Sequence, residues 1–249
     1  RRHLSETSAF LEAQQAPKEK QSLARMLRNH LRQVLTVMAL TVCGTVGFYV
    51  ILVYMPTFAN KQLNLPLTEA FTAQVFAVAL MTVLMPVFGA LSDRVGRKAL
   101  ILAATAGLLL ALYPLFSWVY AAPSFARLMT MQVVLCTLLA VYFGPFSAAV
   151  AEQFPAGMRS TGLALAYNLA VMIFGGFAQF IVTWLIHTTG LAIAPVFYVM
   201  FAAALGLIAA FFLIERSQVV HLDAVEGSDS APLAPSSTDA PGAFRTPSP

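Results

Sequence analysis

The densest chemistry in the chain lies in GALSDRVGRK, Gly89 to Lys98, where Asp93, Arg94, Arg97 and Lys98 fall within six positions. Charges of both signs this close can make ion pairs and charge-assisted hydrogen bonds. The runs on either side, Phe71 to Leu91 and Ala99 to Pro123, carry no charge. Each is long enough to cross about 30 Å of hydrocarbon as a helix, so the charges mark one face of a bilayer. Gly96 supplies the permissive backbone that a tight reversal between two such helices needs. Other chemistry is sparse. Cys43 and Cys136 lie in separate apolar runs without C-x-x-C spacing and read as small hydrophobes. His3, His30, His187 and His221 stand alone at loops and run ends, so no metal cluster is expected. No phosphate-cradling glycine loop or nucleotide fingerprint occurs, so no cofactor is expected either. An integral-membrane enzyme would need His, Asp, Glu or Cys constellations at the ends of its spans, and only scattered single residues are there.

The elements that must position the hairpin follow from composition. Residues are 59% hydrophobic and 10% charged, against roughly 25% charged in a soluble domain, and mean hydropathy is +0.75. This is a polytopic all-α membrane protein. Apolar runs extend over Val34 to Thr57, Ala70 to Leu91, Ala99 to Tyr120, Phe125 to Val150, Thr161 to His187 and Leu191 to Ile214. Six spans place both chain ends on one side. Thirteen of the fifteen basic residues lie on the hairpin's side, and only Lys61 and Arg127 lie opposite. That asymmetry places both ends in the cytosol. It also accounts for a pI near 9.3, with no need of a nucleic-acid partner. Residues 1–33 read as a cytosolic connector, 34–214 as the membrane domain and 215–249 as a proline-rich disordered tail. The connector lacks the apolar core and cleavage site of a signal peptide and reads as an interior segment. Within it Leu23, Leu27 and Leu31 alternate with Arg25, Arg28 and Arg32 at helical spacing, which suits a basic amphipathic helix on an anionic membrane surface.

The loop between the fourth and fifth runs, AEQFPAGMRSTG, is the second informative stretch. Pro155 and Gly157 break the helix, Glu152 and Arg159 flank the break, and Ser160 is placed to cap the next helix. The pattern G-x-L-S-D-R-x-G-R-K between two spans resembles the loop signature of the major facilitator superfamily. E-x-F-P-x-x-x-R-x-x-G, followed by a Tyr-Asn pair and a Phe-Gly-Gly at Tyr167 to Gly176, resembles the superfamily's metabolite:proton symporter branch. RRHLSETSAF and FYVILVYMPTF, Phe48 to Phe58, resemble that branch's connector and the end of its seventh helix. The resemblance covers Arg1 to about Ile214 and implies the C-terminal half of a twelve-helix fold, six helices as two inverted three-helix repeats, with the N-terminal half missing. It implies a conformational latch at Gly89, Asp93, Arg94, Gly96, Arg97 and Lys98, in which Asp93 and Arg97 bond a neighbouring helix end in one state of a transport cycle. Gly89 would allow close helix approach.

Transporters of this kind hold substrate near the midplane. The candidate cavity residues are Tyr49, Tyr54, Gln132, Tyr167, Asn168 and Gln179, each of which could instead make an interhelical hydrogen bond. Counting 3.6 residues per turn groups Cys43, Gly47 and Tyr54 on one face, and Asn168, Gly175 and Gln179 on another. Gly144 and Pro145 weaken the fourth span near its cytosolic end and are the candidate gate, with a static kink as the alternative. No acidic residue lies at mid-membrane, and no Lys or Arg does. The proton carrier and any carboxylate-binding cation therefore belong to the missing half. The expected function is proton-coupled uptake of a small organic acid or zwitterion across a bacterial inner membrane. A channel or inert scaffold half is the alternative.

Overall fold

A computed structural model describes residues 23–154 and 159–214, with side chains from residue 30 onward. The expectations for the start of the connector, for Pro155 and Gly157, and for the tail lie outside the described residues. Those described build six helices long and apolar enough to span a membrane. They are α1 (His30–Leu63), α2 (Leu67–Val95), α3 (Arg97–Ala121), α4 (Phe125–Ala151), α5 (Arg159–Thr189) and α6 (Ala194–Phe211).

Each turn between helices has a local cause. α2 stops at Gly96, whose φ of 101° is open to glycine at no steric cost. Its N–H still bonds the Ser92 carbonyl at 3.0 Å, so α3 restarts at once. Asn64 turns α1 into α2 in the left-handed region that asparagine tolerates, at φ 55°. Ser124 caps α4 by accepting the Arg127 N–H at 3.3 Å. Helix already begins at Leu23 and reaches α1 across a bend at His30. Ser160 lies inside the first turn of α5, which starts at Arg159, so it does not stand ahead of the helix as the cap expected from sequence.

Two π-helical stretches interrupt the α geometry, Phe48–Tyr54 in α1 and Val171–Gly175 in α5. In α1 the cause is Pro56, which has no N–H to give and whose ring crowds the carbonyl four residues back. In α5 the Gly175–Gly176 pair holds the helix weakly, and the Gly176 N–H reaches back five residues to the Val171 carbonyl at 2.9 Å.

Packing follows an exchange rule. α2 packs on α4 and α5 packs on α1; α3 packs on α4 and α6 packs on α1; α3 and α6 pack on each other. Swapping the triplet α1–α3 with α4–α6 exchanges the first four pairs two by two and returns α3–α6 to itself, as two related repeats require. α1 is the most enclosed helix, and α2 and α5 are the most exposed. At the centre α1 and α6 meet where Cys43 touches Gly206: a Cβ on Gly206 would come within 2.5 Å of the Cys43 Cβ. Both cysteines are buried and free, as small hydrophobes should be. Thr41 and Thr105 satisfy their hydroxyls on carbonyls four residues back, at 2.8 Å each, which hides a polar group inside an apolar helix.

Candidate latch and cavity

The hairpin brings its charges to the ends of two other helices. Asp93 closes α2 and Arg97 opens α3, and the Arg97 guanidinium donates to the Asp93 carboxylate at 3.3 Å. Its second arm donates to Glu152, which caps the end of α4. Arg97 is thus the bridge between the hairpin and the neighbouring helix, and among the described residues Asp93 reaches that helix through it. Lys98 donates to the carbonyls of Phe211 at 2.8 Å and Leu213 at 3.2 Å. A cation there suits the unpaired carbonyls and negative dipole end of α6. Arg94 is exposed, and Arg159 is likewise exposed at the start of α5.

Gln153 completes this layer, although nothing in the sequence singled it out. Its amide donates to the carbonyls of Ala149 at 3.1 Å and Ile214 at 3.0 Å, and it accepts the Ile214 N–H at 3.2 Å. A glutamine next to Glu152, at the end of an apolar run, was the available signal, and the structure buries it.

Beneath the latch, Gly89 and Gly144 meet backbone to backbone. A Cβ on Gly144 would lie 2.8 Å from the Gly89 nitrogen and 2.9 Å from the Met85 carbonyl oxygen. Gly144 is therefore a place where the backbones of α4 and α2 come into direct contact, and Pro145 beside it is buried.

A cavity of about 400 Å³ opens between α1, α4 and α5. Thr45, Phe48 and Tyr49 line it from α1, Phe143, Phe146 and Ser147 from α4, and Tyr167 from α5. Its aromatic walls interlock: Phe48 and Tyr49 meet edge-on with centroids 5.7 Å apart, and Phe143 and Phe146 at 6.0 Å. Tyr49 is seated by Gly175, where a Cβ would fall 2.9 Å from its ring. That contact joins one π-helical stretch to the other. Behind the wall, the Tyr142 hydroxyl donates to the Leu40 carbonyl at 2.5 Å and ties α4 to α1.

Of the six cavity residues expected from sequence, the cavity brings together Tyr49 and Tyr167. Gln132 is fully buried and donates to Gln74 on α2 at 2.5 Å, so it holds two helices together and does not face the cavity. Tyr54 is buried, as are Cys43 and Gly47, with which a 3.6-residue count groups it, and it does not line the cavity. Asn168 lies on a different face of α5, exposed, with its amide on the Ala164 carbonyl at 2.8 Å. Gln179 is exposed beyond the second π stretch while Gly175 is buried, so these residues do not share the face expected of them. Gln74 was missed by sequence reading; its signal was the single carboxamide of a largely apolar span. Among the described residues no group of His, Cys, Asp and Glu could hold a metal ion.

The comparisons with known proteins agree with this architecture. The family model described as Major Facilitator Superfamily matches residues 2–169 and, in a second alignment, 37–247. A citrate-proton symporter of Klebsiella pneumoniae is 35% identical over 219 residues, covering 88% of this chain and 49% of the relative. One from Salmonella typhi is 34% identical over 217 residues, covering 87% and 50%. The ectoine/proline transporter ProP of Corynebacterium glutamicum is 31% identical over 202 residues, covering 81% and 40%. No solved structure matches. The chain spans about half the length of the curated relatives it matches. Six apolar spans, a charged hairpin that bonds the neighbouring helix end, and a family model that matches most of its length place the chain in the Major Facilitator Superfamily.

Proposed function

We propose that this chain works as the C-terminal six-helix half of a secondary transporter that carries a small organic acid or zwitterion with a proton by alternating access. The single observation that carries the reading is the pairing of the cavity with the latch. An uncharged aromatic cavity opens between α1, α4 and α5, and the Arg97–Glu152 contact closes the end of the same α4. In one state of the cycle Arg97 bridges Asp93 and Glu152. In the other that bridge breaks, and the ends of α2 and α4 separate while the rest of the bundle stays packed. Gly144 and Pro145 lie among the cavity-lining residues Phe143, Phe146 and Ser147, about two turns before Glu152, where α4 would bend.

Among the described residues Glu69, Asp93 and Glu152 all sit at helix ends, and the cavity lining carries no charge. An ionisable group in the transport path is the usual carrier of a coupled proton. The proton-carrying group and the charge that selects the substrate therefore fall to an N-terminal half. The matched relatives, about twice this chain's length, are named for citrate and for ectoine or proline, which supports a metabolite of that size. Both chain ends face the cytosol of a bacterial inner membrane, as the basic residues direct.

The test is uptake of labelled citrate and proline into liposomes under an imposed pH gradient. This chain alone should insert and accumulate neither, and supplying the N-terminal half as a separate polypeptide should restore uptake of one. Asp93→Asn in that two-part carrier should abolish most uptake with insertion intact. Proton-driven accumulation by this chain alone, or normal uptake by the Asp93→Asn carrier, would refute the division of labour.

A further inference from the structure

A second apolar recess, on the outside of the bundle, takes no part in the latch or the cavity. It lies between the start of α1 and the end of α6 and encloses about 460 Å³. Leu35 and Ala39 line it from α1, Leu205 and Ile208 from α6, and Phe212 from the position just after α6. From residue 31 to residue 39 it runs about 12 Å at 1.5 Å per residue, close to the roughly 15 Å half-thickness of a hydrocarbon core. Leu35, Ile208 and Phe212 are half-exposed or more along it. In a bilayer such a recess holds hydrocarbon, because an apolar recess gives water no partners.

Its mouth is not neutral. Arg32 stands there with its guanidinium 5.3 Å from the centre of the Phe212 ring, a cation–π contact that fixes the planar group across the opening. Among the described residues no carboxylate pairs with Arg32, so its fork of N–H donors remains open to an acceptor. Arg32 comes two residues before the uncharged run that begins at Val34, which is where a headgroup would lie. Arg28 and Arg25 precede it in sequence by four and seven positions. Open donors in a planar fork match a phosphodiester, and the surplus positive charge selects a headgroup with net negative charge over a zwitterionic one.

We propose that this groove is a binding site for one anionic phospholipid, its phosphate on Arg32 and an acyl chain along Leu35, Ala39 and Ile208. The bound lipid would bridge α1 and α6. The site does not depend on the transport reading, since lipid occupancy is measured without substrate.

The experiment is native mass spectrometry of the full chain in detergent, offered equal phosphatidylglycerol and phosphatidylcholine. Wild type should retain one phosphatidylglycerol in preference to phosphatidylcholine. Arg32→Gln should lower that preference about fivefold, the size expected for one basic residue at a membrane surface. Arg127→Gln, the same charge change at the opposite end of the bundle, should leave the preference intact. Leu35→Trp, which fills the groove from an exposed position, should reduce retention of both lipids. The proposal is overturned by an absence of preference in wild type, by equal losses in Arg32→Gln and Arg127→Gln, or by unchanged retention in Leu35→Trp.

Discussion

Gly144 and Gly89 face each other across the α2–α4 seam, yet alanine should be tolerated at only one of them. A Cβ at Gly144 would sit 2.8 Å from the Gly89 nitrogen, 2.9 Å from the Met85 oxygen and 3.0 Å from the Phe88 carbonyl carbon. All three are backbone atoms of a helix and cannot swing aside. Ordinary contact begins near 3.4 Å, so the helices must part by about 0.5 Å, a gap that forfeits about a quarter of each dispersion contact along the seam. In a membrane, packing of this kind is the main force between helices. Gly144→Ala should therefore cost about 1–3 kcal/mol, the range of overpacked cores. A Cβ at Gly89 instead meets the Gly144 oxygen at 3.5 Å, an ordinary contact. Gly89→Ala should be neutral, or stabilising by up to about 1 kcal/mol through its better helix propensity. Reversible unfolding of both variants in mixed micelles of rising dodecyl sulfate measures the difference. Equal stability of the two, or a Gly144→Ala protein as stable as wild type, would refute the close-approach argument.

Two further outcomes follow from the same structure. Gln74→Leu strips the fully buried Gln132 of the one acceptor that its amide has, and should cost about 1–2 kcal/mol, while the double change to leucine should cost less than the single one, because no carboxamide is then left unpaired; a double variant less stable than Gln74→Leu would show that the pair does more than satisfy itself. Cysteines placed at positions 62 or 121 should react with an impermeant thiol reagent from outside intact cells and those at 95 or 157 only after permeabilisation, with buried Cys43 and Cys136 unreactive throughout; the reverse labelling would overturn the orientation.

What could be read from the sequence and what could not divide along one physical line. Spans, the hairpin and its glycine turn were legible because hydrocarbon forbids charge over some twenty residues, and that signal survives any local change in helix geometry. Side-chain direction was not legible, because it depends on the phase of the helix. Five π-helical residues from Val171 to Gly175 lie between Asn168 and Gly175, and Gly175 is buried where Asn168 is exposed. Pro56 and the Gly175–Gly176 pair are visible in the sequence, but whether a proline kinks a helix or widens it is decided by its neighbours. The partner of a polar group was equally hidden. Gln132 offers an amide to whatever lies across from it, and only packing shows that Gln74 does.

The two π stretches also bear on how the bundle could move. They occur in α1 and α5, the helices that pack on each other and line the cavity, and they meet where Gly175 seats Tyr49. The exchange that maps α1 and α5 onto α4 and α2 carries this crossing onto the one at Gly144 and Gly89. One crossing is built from two glycines at backbone contact, the other from a glycine against an aromatic ring beside widened turns. A backbone contact between two glycines has no side chain to rearrange, so α2 and α4 can tilt about it as a fixed point. A ring held against a glycine can slide, and each widened turn has already given up regular α hydrogen bonding, so a local change of pitch there costs little. In the proposed alternating-access cycle this asymmetry would make the α1–α5 crossing the pliable side of the cavity and the α2–α4 crossing its pivot; Arg97 bridges the ends of α2 and α4.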